Sequence, residues 1–178
     1  MTLPKIGKPA TNALANIGVT ELKHVSKIDE DNLQKIHGVG PKAIKILKTA
    51  LAEENLNFKV LEPLPFRTPF AVMGSLSCNN APKREILRNF VIGVHANQPT
   101  SIRHLHTDDC DFEFFTDVES ISSLEINHLI THGKEGAASS ITTLKSGEKL
   151  SYAYIFEFEN SKKEARIKKV SIYFQADC

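Results

Sequence analysis

The spacing of apolar residues changes character along this chain, from a helical to a strand period, and that change limits the folds open to it. Up to about His106 apolar residues recur mostly at three- and four-residue intervals, the period of a helix buried on one side. Beyond Cys110 they alternate, the period of a half-buried strand. Helices first and a meandering sheet afterwards predict an α+β protein whose helices cover one face of a curved antiparallel sheet.

Within the helical part, Thr11–Ile17 places Leu14 and Ile17 on one face, and Gly18 suits a helix stop. Either Asp29 or Asp31 can cap the next helix, with Leu33 and Ile36 as its apolar ridge. Ala43–Glu54 repeats Ile44, Leu47 and Leu51 after Pro41, a residue that a first helical turn tolerates. These helices are short and must be stabilised by packing on one another. Residues 59–81 read as a connector because Pro63, Pro65 and Pro69 interrupt both periods; Phe66, Phe70 and Val72 are expected to pack on a domain. After Pro82 comes a helix at Lys83–Ala96 with Ile86, Leu87, Phe90, Val91 and Val94 as its buried stripe, then a second at Ser101–His106.

Strands are predicted at Cys110–Phe115, Leu124–His132, Leu150–Phe158 and Arg166–Gln175, with Ser139, Ser140, Thr142 and Thr143 also in a strand. In the second of these Leu124, Ile126, His128 and Ile130 share a face. Lys145–Glu148 and Asn160–Lys163 read as turns. The division is therefore a helical domain at 1–58, a connector at 59–81 and an α+β domain at 82–178.

Composition excludes several classes. At 178 residues the chain exceeds the ~100–150-residue mode for one domain. Its 41% hydrophobic and 24% charged residues suit a packed core. No run approaches the ~18 apolar residues of a membrane span, and the N-terminus is too polar for a signal peptide. Cys78, Cys110 and Cys178 make an odd count without C-x-x-C spacing, which suggests neither a disulfide framework nor structural zinc and points to a reducing cytoplasm. With a net charge of only +1, a nucleic-acid role has to rest on a local patch.

That patch is sought in Leu33-Gln34-Lys35-Ile36-His37-Gly38-Val39-Gly40-Pro41-Lys42-Ala43. Two glycines around one apolar residue allow a tight turn between helices and leave amide N–H groups at the start of the next helix. Such an N-terminus attracts anions, phosphate above all. Lys35, Lys42, Lys45 and Lys48 follow with no acid between them, and contacts of this kind give affinity without reading sequence.

From Ile36 to Ala43 the segment resembles the helix-hairpin-helix family, with its apolar-x-Gly-apolar-Gly-x-x-Ala motif. Over Pro9–Phe58 it is similar to the C-terminal domain of bacterial RNA polymerase alpha subunits, in Asn12–Leu14, Gly18–Leu22, Leu33–Ile36 and Gly40 followed by Lys42. The resemblance implies a bacterial protein that touches duplex DNA through Asn12, Gly38, Gly40, Lys42 and Lys45. Pro9 and Ala43 stand where that family has its groove-inserting Arg and phosphate-binding Ser. Weak contact without sequence preference is the expectation, with docking on a protein as the other use of the same hairpin.

Residues 82–175 resemble the SnoaL-like branch of the nuclear transport factor 2 superfamily. The likeness lies in the helix Ile86–Asn97, the Leu105-His106-Thr107-Asp108-Asp109 entry to a strand, the Lys145–Lys149 turn and the closing pair Tyr152–Phe158 and Ala165–Phe174. It implies a cone-shaped α+β barrel, a mouth open to small apolar ligands, and a homodimer through the outer sheet. The base, Tyr and acid positions of its ketosteroid-isomerase relatives fall on Phe114, Phe90 and Tyr154, so that proton-transfer chemistry is not expected.

Phe90, Phe112, Phe114, Tyr152, Tyr154 and Phe156 would either fill the cone or line a pocket, where Tyr154 and His128 would supply polar groups. No metal site or cofactor is expected: His128 and His132 are roughly 13 Å apart on a strand, and His104 and His106 lack a third ligand. The resulting expectation is a non-enzymatic, cytoplasmic protein with no membrane association. Its hairpin contacts duplex DNA or a protein, and its second domain dimerises or binds a small apolar ligand. The rival reading is an isomerase, hydrolase or cyclase built on His106, His128 and Tyr154.

Overall fold

In a computed structural model the described residues are 2–60, 65–74 and 81–176. Pro63 of the predicted connector, Cys78 and Cys178 lie outside them. The helical part comprises α1 (Lys8–Asn16), α2 (Leu22–Val25), α3 (Glu30–Lys35) and α4 (Pro41–Glu53). Gly18, at φ 80°, ends the first of these: its N–H reaches Ala15 O, and the next N–H reaches back to Leu14 O. Of the two candidate caps it is Asp29 that works, accepting the Asn32 N–H at 2.9 Å. Leu14, Val25, Leu33, Ile36, Leu47 and Leu51 meet in one core, which pays back the cost of ordering four short helices.

The sheet has five strands in sequential order: β1 (Ala71–Gly74), β2 (Ile121–His132), β3 (Glu135–Leu144), β4 (Lys149–Phe158) and β5 (Ile167–Ala176). The first pair is parallel and the other three are antiparallel. The fold is thus α+β, but the sheet does not close; β1 and β5 are its two edges, so the expected barrel is an open sheet. Between the first two strands run α5 (Pro82–His95), α6 (Pro99–Ile102) and a 3-10 turn at Arg103–Leu105, matching the two expected helices. Leu87, Phe90, Val91 and Val94 are buried among inward-facing Tyr154, Phe156 and Phe158. Lys83 fastens the start of α5 to two turns through Gly133 O at 2.6 Å and Asn160 O at 3.0 Å.

Three further expectations change. The connector contains a strand: Phe70 and Val72 enter the sheet core while Ala71 and Met73 enter the helical core. Cys110–Phe115 is not a strand; its backbone is held instead by Cys110 N–H to Thr107 O and Phe115 N–H to Val94 O, and alternation there reports only which side is covered. In β2 a bulge lies between Ile126 and His128. One inserted residue reverses the parity of all that follow, so Leu129 is buried while His128 and Ile130 face out. Lys145–Glu148 and Asn160–Lys163 are turns as expected. Among the described residues no helix is long and apolar enough to cross a membrane.

Candidate functional site

The turn between α3 and α4 is held tightly on one side and left open on the other. Gly38 has φ 97°, and a Cβ there would lie 3.2 Å from Pro9 O and 3.3 Å from Ala13 Cβ. The turn therefore rests on the first half of α1, which brings Asn12 beside it. Gly40 would meet nothing within 4 Å. Asn12, Gly38, Gly40, Lys42 and Lys45 are all exposed, as is Lys8.

Two helix starts thus lie side by side, α1 after Gly7 and α4 after Gly40. Neither has a side-chain cap, and neither carries an acid in its first turn. The start of α3 is the opposite, capped by Asp29 and followed by Glu30 and Asp31. Lys8 opens α1, and Lys42 and Lys45 lie in the first turns of α4, so each uncapped start carries lysine and no acid. Of the four lysines singled out in the sequence, Lys48 is neutralised by Glu30 at 2.9 Å. Lys8, the first residue of α1, is a further exposed lysine, which the sequence reading missed because it belongs to a different helix.

Inside the sheet the predicted aromatic set divides. Phe90 meets Phe112 at 4.8 Å and Phe156 at 5.8 Å, and Phe112 meets Phe114 at 5.2 Å between ring centres. These are edge and tilted contacts of a packed cluster. Tyr152 and Tyr154 stack with centres 6.2 Å apart, and the Tyr154 hydroxyl lies 3.3 Å from Ser140 Oγ. Burial raises the pKa of both phenols, which keeps them neutral.

His128 does not join them: beyond the bulge it stands on the outer face, its Nδ1 2.8 Å from Ser139 Oγ. His106 packs 4.9 Å from the Phe112 ring, with Nδ1 2.9 Å from Thr107 O. The trio His106, His128 and Tyr154 is therefore not assembled into one site. Burial and the neighbouring Asp109 and Asp111 push the Cys110 thiol up to about 11, which holds it protonated near neutral pH.

The histidine that is buried is His95, at the end of α5 and only 1% exposed. Its Nδ1 donates to Val91 O at 2.9 Å, which leaves Nε2 as the acceptor. Nε2 has no partner among the described residues, nor has the Thr142 hydroxyl oxygen. The ring stacks on Phe115 at 5.2 Å and meets Tyr152 edge-on at 5.1 Å. Burial lowers its pKa to about 4, against a smaller opposing effect of the Val91 bond. The available signal was its place four residues after Val91, just past the end of the predicted stripe. Among the described residues no group of three His, Cys, Asp or Glu side chains could hold a metal ion.

No protein-family model matches this chain, and no curated protein does.

Proposed function

We propose that the protein contacts duplex nucleic acid weakly and without sequence preference, through the paired starts of α1 and α4. The observation that carries this reading is the contrast among the helix starts. The two on the open side are uncapped and free of acids beside Lys8, Lys42 and Lys45, while that of α3 is capped by Asp29. A helix start kept free of carboxylates suits a phosphate, and glycine at position 40 lets a backbone approach. The likeness to helix-hairpin-helix domains points to the same surface, with Asn12, Gly38, Gly40, Lys42 and Lys45 as the contact set.

In this reading the second part of the chain is a SnoaL-like module of a cytoplasmic protein, and it pairs two copies. Two hairpins on one particle raise affinity by roughly 10²–10⁴-fold when both reach the same duplex. The packed aromatic interior favours pairing over a small apolar ligand as its role. Fluorescence anisotropy with a short duplex across a salt series tests the contact. Three phosphate contacts predict a slope of log K against log salt near about −3, and Lys42→Ala should make it shallower by about 1. Binding that ignores salt, or is unchanged in Lys42→Ala, would falsify the reading.

A further inference from the structure

Where the helical core meets the sheet edge, the chain leaves a cavity of about 510 Å³. That is within the range of small-molecule sites, and such sites favour seams between packed units. Ile17, Val19 and Ile28 from the helical part and Met73 from β1 give it an apolar floor. Lys27 and Lys59 line the helical wall, the second fixed by its backbone N–H to Ile28 O at 3.1 Å. Glu125, on β2 beside Met73, faces them from the sheet wall.

None of these three charges has an ion-pair partner among the described residues. Glu125 is also half-buried, and burial raises its pKa against the pull of Lys149. A half-buried carboxylate on one wall, the exposed Lys27 and half-buried Lys59 on the other, and aliphatic side chains between them put both signs of charge around an apolar floor. The occupant that matches such a lining carries both signs of charge and an apolar body.

The geometry points to a site for a small zwitterion with an aliphatic side chain, of the chemical class of the branched-chain amino acids. Its carboxylate lies toward Lys27 and Lys59, its ammonium toward Glu125 and its side chain on Ile17, Val19, Ile28 and Met73. This goes beyond the nucleic-acid reading and does not depend on it, because the cavity lies apart from the Gly38–Gly40 turn.

Isothermal calorimetry on the full chain tests the site with three probes: L-leucine, 4-methylpentanoate, which lacks the amine, and 3-methylbutylamine, which lacks the carboxylate. L-Leucine should bind, and each half-analogue should bind about tenfold more weakly or worse, since each leaves the charge on one wall of the cavity unmatched. Glu125→Gln should weaken L-leucine and spare 4-methylpentanoate. The exposed Lys27→Ala, combined with Lys59→Ala, should weaken L-leucine and spare the amine. No heat with L-leucine up to millimolar concentration, a half-analogue that binds as tightly, or L-leucine binding unchanged in both variants overturns the assignment. Duplex binding measured on the same samples reports separately on the hairpin.

Discussion

Lowering the pH should unfold this protein earlier than its carboxylates alone would, because of His95. In the folded chain the imidazole is neutral, its pKa lowered from 6.5 to about 4 by burial among Phe115, Tyr152 and Tyr154. The unfolded chain takes up this proton near pH 6.5 and the folded chain does not until near pH 4, so stability is complete above pH 6.5 and falls between those values. At ~1.36 kcal/mol per pKa unit, the total loss is roughly 3 kcal/mol, with about 2 kcal/mol gone by pH 5. For a chain of ordinary stability that is a large share.

The carboxylates held low by neighbouring hydrogen-bond donors and cations, Glu21, Asp108, Asp109 and Glu159, lose their contribution only as pH falls below their ordinary range. Glu125 acts with the opposite sign, since its raised pKa makes the folded chain the better proton acceptor. Between pH 7.5 and 5, then, His95 dominates. Urea midpoints at the two pH values, for the wild type and for His95→Phe, measure the effect. The Phe variant keeps a ring in the aromatic box and has nothing to titrate, so its midpoint should move much less. Equal shifts in the two proteins, or an NMR titration of His95 near 6.5, refute the reasoning.

Asn32→Leu should cost about 1–3 kcal/mol in urea unfolding, because it leaves the buried Val72 N–H without its 2.8 Å bond to Asn32 Oδ1. Amide exchange at Val72 should accelerate with it, and unchanged protection there would show the bond to be dispensable. Gly74→Ala should destabilise by roughly 3 kcal/mol or more, since φ is 102° and the new Cβ would lie 2.0 Å from Ile126 O, forcing β1 off β2. Gly40→Ala, with open space around it, should stay within about 0.5 kcal/mol of wild type by thermal melting and yet bind duplex more weakly. A loss of stability there would mean the glycine serves the fold instead of the approach.

Much of this architecture was readable from periodicity, and the failures share one cause. Leu150–Phe158 alternates without interruption, and β4 covers it, beginning one residue earlier at Lys149. The stripe of Leu87, Phe90, Val91 and Val94 likewise marks the buried side of α5. Periodicity says which side of a segment is covered, but not what its backbone bonds to. Cys110–Phe115 has a covered side and no neighbouring strand. A bulge is invisible to parity, so His128 was assigned to the wrong face of β2. At the candidate interface the paired glycines were legible because their chemistry is local. The contact of Gly38 with Pro9 and Ala13 was not, since it depends on how α1 crosses the turn.

The apolar run Phe70–Met73 was the least legible element, and it does most to join the two halves. Alternation fails there because both faces are covered, each by a different core. The strand also has one edge on β2 and the other pinned by Asn32, a residue of α3 whose own position is fixed by two bonds to Asp29. Removing β1 would therefore uncover Leu33 and its neighbours on one side and Leu124 and Ile126 on the other. A four-residue strand so placed links the open turn at Gly38–Gly40 to the sheet through a short chain of packed groups: α4, α3, Asn32, β1. The proposed zwitterion cavity opens at the end of that same strand, beside Gly74. A ligand held between Lys59 and Glu125 would thus brace the joint on which the direction of the hairpin depends.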